Sequence, residues 1–303
     1  MMVPDFHILI SDSCNLSPDR IFWNMPMAEL STLRVGGPAG AVIYPESERE
    51  LLDLTAALNK IVVPWRVIGR GSNILASDDG FAGVIIVLGR NFSGIKRLAQ
   101  GRISVQAGCS LGKLTAWCAG QGLSGLEFAV GIPGTVGGAI RMNAGAWGRA
   151  MADVITAVRL INCRGECYEQ SLTDSDFTYR SGRRSTAEVI SAGVFHLVKG
   201  LPDDILARGR ELLRARQAKQ PKGAASAGSF FKNPPGEAAG RLIEQAGLKG
   251  VKIGGAMVSE IHANFLVNNN QASARDFFEL MRLIQDEVQE KFGVRLEPEV
   301  EFI

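Results

Sequence analysis

Hydrophobic and polar positions follow two different periods along the chain, and each period predicts its own kind of element. Leu51, Leu52, Leu54, Ala57 and Leu58 recur at helical spacing, and Ser47-Glu48-Arg49-Glu50 precedes them in capping-box form. An apolar run of β type follows over residues 62–68, interrupted by Pro64 and ending at Gly69. A second run, 84–88, lies between Gly83 and Gly89. Together these predict a small α/β unit over roughly residues 30–92. Beyond it, residues 103–107 predict a strand and 110–120 a short helix capped by Ser110. Residues 154–162 and 188–197 read as strands, with Gly165 turning the chain after the first. After Gly200-Leu201-Pro202 come a charged helix, 203–218, a Pro/Gly/Ser stretch, and a helix over 237–246 stopped at Gly247. The last helix has the fullest pattern. Ser273 caps it, Asp276 sits three residues on, Phe277, Met281, Ile284 and Val288 share one face, and Gly293 ends it.

Composition narrows the class. The chain is 46% hydrophobic and 21% charged, as expected of a water-soluble globular protein long enough for two or three domains. Lys and Arg total 33 against 31 for Asp and Glu, which argues against a dedicated nucleic-acid binder. No apolar run approaches the ~20 residues of a membrane span, and the first residues lack signal-peptide form. Five cysteines (Cys14, Cys109, Cys118, Cys163, Cys167) include no C-x-x-C pair, which fits reduced thiols in a cytoplasm. His7, His196 and His262 are too scattered for a His-rich metal site, so no metal is expected.

Glycine changes the picture most. There are 35, none before residue 36, and 21 of them fall within residues 36–150. An excess confined to part of the chain, with no three-residue repeat, points to backbone that turns sharply or approaches something closely. Gly69-Arg70-Gly71-Ser72-Asn73 directly follows a predicted strand and matches neither the P-loop nor the Rossmann pattern. It reads equally as a plain tight turn or as a loop whose amides face a phosphate. Gly131-Ile132-Pro133-Gly134-Thr135-Val136-Gly137-Gly138-Ala139 runs on to Met142-Asn143-Ala144-Gly145. Close helix packing explains part of it, but the whole favours amides laid along an extended diphosphate, and two such loops suggest a dinucleotide.

Three further segments carry candidate chemistry. Ala227-Gly228-Ser229-Phe230-Phe231-Lys232-Asn233-Pro234 sets a serine between glycine and two bulky aromatics, either as a turn residue or as a proton donor. No G-x-S-x-G and no neighbouring Asp/His pair supports a hydrolase nucleophile. Leu296-Glu297-Pro298-Glu299-Val300-Glu301 alternates as a terminal strand, with Glu297, Glu299 and Glu301 on one face; for Glu301 a solvated edge is expected. Tyr179-Arg180 is weak alone, because a surface Arg is the default.

Taken in order, these segments resemble the UDP-N-acetylenolpyruvoylglucosamine reductase family over nearly the whole chain. The anchors are Thr32 to Ala39, Gly69 to Leu75, Gly122 to Glu127 running into Gly131 to Gly145, Tyr179-Arg180-Ser181, and Gly228 to Pro234. Gly254 to Ala256, Val258-Ser259, His262 to Phe265, and Leu296 to Val300 complete them. The short segment after Arg180 is similar to the family's shorter-loop subtype. Trp147 and Arg141 depart from the residues usual in the family.

The resemblance implies an α+β fold: an FAD-binding region of two α+β subdomains, vanillyl-alcohol-oxidase-like, over 1–95 and 96–200, and a substrate-binding domain over 201–303. It implies a monomeric cytoplasmic enzyme, neither nucleic-acid- nor membrane-bound, that uses NADPH and FAD to reduce UDP-N-acetylglucosamine enolpyruvate to UDP-N-acetylmuramate. By the same resemblance, FAD is contacted by Arg34, Gly69, Arg70, Gly71, Ser72, Asn73, Ile74, Gly131, Pro133, Gly134, Thr135, Gly137, Gly138, Asn143, Ala144 and Gly145. Substrate is contacted by Lys219, Asn233, His262 and Asn264. Arg180 binds the enolpyruvyl carboxylate, Glu299 assists there, and Ser229 donates a proton. Two other readings stay open: a flavin-dependent oxidase on the same FAD-binding fold, and a nucleotide-sugar binding protein that has lost catalysis.

Overall fold

The computed structural model describes residues 16–182 and 188–303, so His7 and Cys14 lie outside the described residues. The chain divides into two compact units. One is built from residues up to Trp23 with Gly40–Gly69 and Gly83–Leu213; the other comprises Asn24–Ala39, Arg70–Ala82 and Arg214–Ile303.

The first unit has two cores. In one, the helix Glu48–Lys60 lays Leu51, Leu54 and Leu58 against Ile43, Val84, Ile86 and Phe92. Ser47 caps this helix by accepting from Glu50 N, as its pattern predicts. The other half of the capping box is redirected: the Glu50 carboxylate accepts from Glu46 N at 2.8 Å and pairs with Arg20 at 3.0 Å. Trp65–Ile68 and Phe81–Val87 pair in parallel. The first of these starts three residues later than the apolar run predicts. Val62 turns the chain with a φ of 55°, and Pro64 has no N–H to give a ladder. The second core lies under a five-stranded antiparallel sheet ordered Cys167–Ser171, Ile155–Asn162, Glu188–His196, Arg102–Gln106, Ile95–Arg97. There the helix Leu111–Gly120, capped by Ser110, buries Leu111 and Leu114 with Ile103, Ile140, Val158 and Phe195.

The second unit folds around an antiparallel sheet ordered Ala225–Ser229, Phe265–Asn268, Ala256–Val258, Lys252–Ile253. The helix Ala274–Phe292 packs against it, joining Phe277 and Ile284 to Phe230, Phe231 and Leu266 in one core. Its capping box is complete, and Gly293 ends it in the left-handed conformation. The helix predicted from residue 237 begins at Ala239, after a turn that follows Pro234 and Pro235. At the C-terminus Leu296 and Val300 are buried and Glu297 is exposed, as alternation predicts. The regular strand itself is only Glu301–Phe302, paired in parallel with Ile74–Leu75. Glu301 is half-buried there rather than solvated at an edge. Among the described residues, no helix is long and apolar enough to cross a membrane.

Candidate functional site

In the first unit the two glycine-rich segments meet. A Cβ on Gly69 would lie 2.1 Å from Thr135 Oγ1, so only glycine permits this approach. Thr135 is held in turn: it is buried, its hydroxyl accepts from Gly138 N at 3.4 Å, and the adjoining Val136 N donates to Cys109 O at 2.8 Å. The expected run of bare amides is corrected from this point on. Gly137 N donates to Ala107 O, Ala139 N to Thr135 O, Met142 N to Gly138 O, Asn143 N to Ile140 O and Ala144 N to Ala139 O. The small side chains here serve close packing: a Cβ on Gly137 would lie 2.8 Å from Ala107 Cβ, and one on Gly145 2.4 Å from Arg149 O. Gly131 and Pro133 are exposed and Gly134 is half-buried. Gly69 and the exposed Gly131 leave backbone uncovered by side chains beside this junction, which suits a diphosphate-bearing cofactor such as FAD.

Arg180 lies in the same unit, in a two-residue turn. Thr178 N donates to Ser181 O at 2.7 Å and Ser181 N to Thr178 O at 3.1 Å. Arg180 has a φ of 54°, left-handed and uncommon for a side chain of its size, and its guanidinium carbon stands 5.3 Å from the centre of the Tyr179 ring. The 140–143 segment grips this turn: Asn143 Nδ2 donates to Thr178 O at 3.0 Å and Gly182 N to Arg141 O at 2.9 Å.

In the second unit, Ser229 ends the strand Ala225–Ser229 after a register shift, with Gly228 at a φ of 79°. The C-terminal segment runs beside it. Lys232 N donates to Glu297 O and Glu299 N to Phe230 O, both at 2.8 Å. Backbone pairing therefore sets Glu299 next to the residue that follows Ser229. Asn73 ties in here, donating from Nδ2 to Glu299 O at 3.0 Å and accepting from Glu301 N at its own carbonyl. Gly71 has a φ of 60°, and its carbonyl accepts from Thr32 N at 3.0 Å. Ile74 is buried in the parallel ladder, whereas Arg70 and Arg34 are exposed and Ser72 is half-buried.

The expected substrate contacts divide by what their side chains already do. The Asn264 carboxamide is buried and committed at both ends, accepting from Phe231 N at 2.9 Å and donating to Phe231 O at 2.8 Å. It clamps the segment that follows Ser229. Asn233 Oδ1 accepts from Ala239 N at 3.0 Å and so serves the start of that helix. His262 Nδ1 accepts from Asn264 N, and burial pushes its imidazole below the usual range. Lys219, exposed at the end of the helix Pro202–Lys219, is among the cations that add to that depression.

Two residues that order this unit escaped the sequence reading. Thr32 Oγ1 donates to Ser226 O at 2.7 Å, linking the loop before Arg34 to the strand of Ser229. Asp78 accepts from Ala274 N and Arg275 N, holding the 70–82 segment to the last helix. Thr32 at least stood within an anchor motif; nothing local marks Asp78, whose partners lie almost two hundred residues on.

Known protein families match both halves of the chain. Residues 39–171 match the FAD binding domain family, and 220–303 match the C-terminal domain of UDP-N-acetylenolpyruvoylglucosamine reductase. The UDP-N-acetylenolpyruvoylglucosamine reductase of Geobacter sulfurreducens is 46% identical over 276 residues, covering 91% of either chain. That of Clostridioides difficile is 41% identical over 289 residues, 95% of either chain. The crystal structure of the Thermus caldophilus reductase superposes with a TM-score of 0.79 at 39% identity, covering 92% of this chain and 97% of that one. The glucose dehydrogenase Phl p 4.0202, at 15% identity and a TM-score of 0.52, shares the fold over 65% of this chain and 44% of its own. On this sequence similarity, continuous over more than nine-tenths of its length, the chain belongs to the UDP-N-acetylenolpyruvoylglucosamine reductase family.

Proposed function

We propose that the chain reduces UDP-N-acetylglucosamine enolpyruvate to UDP-N-acetylmuramate, a step in making peptidoglycan precursors. FAD, when bound and recharged by NADPH, would supply the hydride for the terminal carbon of the enol ether. Gly69 to Ile74, Gly131 to Thr135, Gly137, Gly138, Ala144, Gly145 and Arg34 are the segments proposed to hold it. Adding hydride to a carbon–carbon double bond conjugated with a carboxylate leaves negative charge on the carbon bearing that carboxylate, delocalised into its oxygens. Arg180 binds the carboxylate and stabilises the charge as it grows. Glu299 assists there, either protonated or shared with a proton donor, since a lone ionised carboxylate would repel the anion. Ser229 gives its hydroxyl proton to the carbon; a weak acid serves here because the carbanion is a strong base. Lys219, Asn233, His262 and Asn264 complete the substrate side, Asn264 and Asn233 by ordering backbone.

The observation that supports this reading is the hydrogen bond from Glu299 N to Phe230 O, which brings the backbone of Glu299 to the residue that follows Ser229. Flavin-binding parts over 1–95 and 96–200 and a substrate domain over 201–303 remain proposed, although Leu33, Val35 and Leu75 join the core of the last and Ala107, Ile161 and Val189 that of the first. A monomeric, cytoplasmic enzyme acting on a small nucleotide sugar completes the proposal. Ser229→Ala provides the test. Its flavin is expected to be bleached by NADPH at the wild-type rate and to reoxidise slowly with the enolpyruvate substrate. Equal survival of both half-reactions would remove Ser229 from its role.

A further inference from the structure

The geometry points to Asn143 as the positioning residue for Arg180 rather than as a side-chain ligand of FAD. This inference rests on the reading of Arg180 as the carboxylate-binding residue. Asn143 is 7% exposed, and both ends of its carboxamide face protein backbone. Nδ2 donates to Thr178 O at 3.0 Å, and Oδ1 accepts from Ala152 N at 3.0 Å. Its own N–H donates to Ile140 O at 3.1 Å. Thr178 is the residue that closes the turn over Tyr179 and Arg180, through both of its hydrogen bonds with Ser181. A second tie on the far side of the turn, Gly182 N to Arg141 O, comes from the same segment. A Cβ at Gly182 would lie 2.1 Å from Ile140 O, so this approach is close and fixed.

The residue type fits the task on two counts. At a φ of 45° the backbone is left-handed, which Asn tolerates better than most residues. The carboxamide alone among short side chains presents a donor and an acceptor in one plane, which bridging a carbonyl and an amide requires. Asp would keep the shape and the bond from Ala152 but set an oxygen against Thr178 O. Gly would keep the backbone and lose both bonds. Arg180 occupies an unfavourable conformation in a short turn, so its guanidinium stays aimed only while that turn is held from outside.

The test uses the holoenzyme with Asn143→Asp, Asn143→Gly and Arg180→Gln. Three quantities are read: the rate at which NADPH bleaches the flavin, the KM for the enolpyruvate substrate, and the preference for that substrate over its carboxyl methyl ester. Both Asn143 variants are expected to keep the flavin spectrum and the NADPH rate. Their KM is expected to rise about tenfold, the scale of one lost hydrogen bond, and the preference for free carboxylate to fall in step. Loss of flavin or slowed bleaching with the preference intact would overturn the inference in favour of a cofactor contact. A lower melting temperature with unchanged KM and preference would reduce Asn143 to a structural role and overturn it equally. Arg180→Gln keeps the two questions separate. If that variant retains the preference for carboxylate, the assignment of Arg180 fails, whatever Asn143 does. If Asn143→Asp does not fold, Asn143→Gly carries the comparison, because its backbone conformation is unstrained.

Discussion

The Gly69→Ala substitution tests whether the two glycine-rich loops are locked together by contact. Gly69 is not among the residues of positive φ, so alanine there carries no backbone penalty. Reduced freedom of the unfolded chain would even favour it by about 0.4–1 kcal/mol. Against this stands a collision: the new methyl would lie 2.1 Å from Thr135 Oγ1, 2.8 Å from its Cγ2 and 3.0 Å from its Cβ. Thr135 is buried and anchored through Val136 N to Cys109 O, which limits its retreat. Overpacking of this kind costs about 1–3 kcal/mol, leaving a net loss of about 1–2 kcal/mol. Thr135→Ala removes the two closest atoms and sacrifices the cap on Gly138 N, which at 3.4 Å falls toward the low end of the usual ~0.5–2 kcal/mol. The double variant is therefore expected to be more stable than the sum of the singles by about 1 kcal/mol. Urea unfolding of the four proteins, followed by flavin fluorescence as the cofactor is released, measures this directly. An unperturbed Gly69→Ala, or additivity within about 0.5 kcal/mol, would refute the claim that this contact locks the loops.

Two further outcomes follow from local geometry. Gly293→Ala forces a methyl-bearing residue to a φ of 70° with no atom within 4 Å of its Cβ, so the cost is purely conformational. About 1 kcal/mol of stability should be lost, and Gly293→Asn should lose less; equal urea midpoints for all three would contradict this. For His262 burial disfavours the charged ring, so its folded pKa lies below the ordinary value of 6.5. The folded state then binds fewer protons than the unfolded one, and stability declines as pH falls from 6.5 through the folded pKa. His262→Gln should flatten the urea midpoint over that interval, and an unchanged pH slope would show that the ring is not responsible.

Elements with short-range causes were legible in the residues themselves. Ser47, Ser110 and Ser273 each cap the helix their patterns predict, because a cap reaches an amide three residues away. The apolar face of the last helix and the stop at Gly293 come from the same local geometry. The structure departs from the expected elements where a signal had a competitor, distant for Glu50 and local for the strand near Pro64. The Glu50 carboxylate was drawn off to Arg20, and Pro64 with the turn at Val62 shortened a strand that hydrophobicity alone would have lengthened.

The candidate site divides in the same way. The order of the motifs was enough to indicate a flavin reductase family, and their glycines marked where backbone must come close. What each polar group does there was decided by tertiary structure. Gly69 answers to Thr135, the amides of Val136, Gly137, Ala139, Met142, Asn143 and Ala144 to carbonyls of their own unit, and Asn264 to Phe231 rather than to open space. Asn143 looks in sequence like one more residue of a ligand loop, yet its carboxamide reaches Thr178, thirty-five residues away. Residue type states which bonds a side chain can make, and local spacing states which neighbours it can reach. Which of several possible partners it takes depends on chain segments brought together only by burial of the common core, and that choice is made in three dimensions.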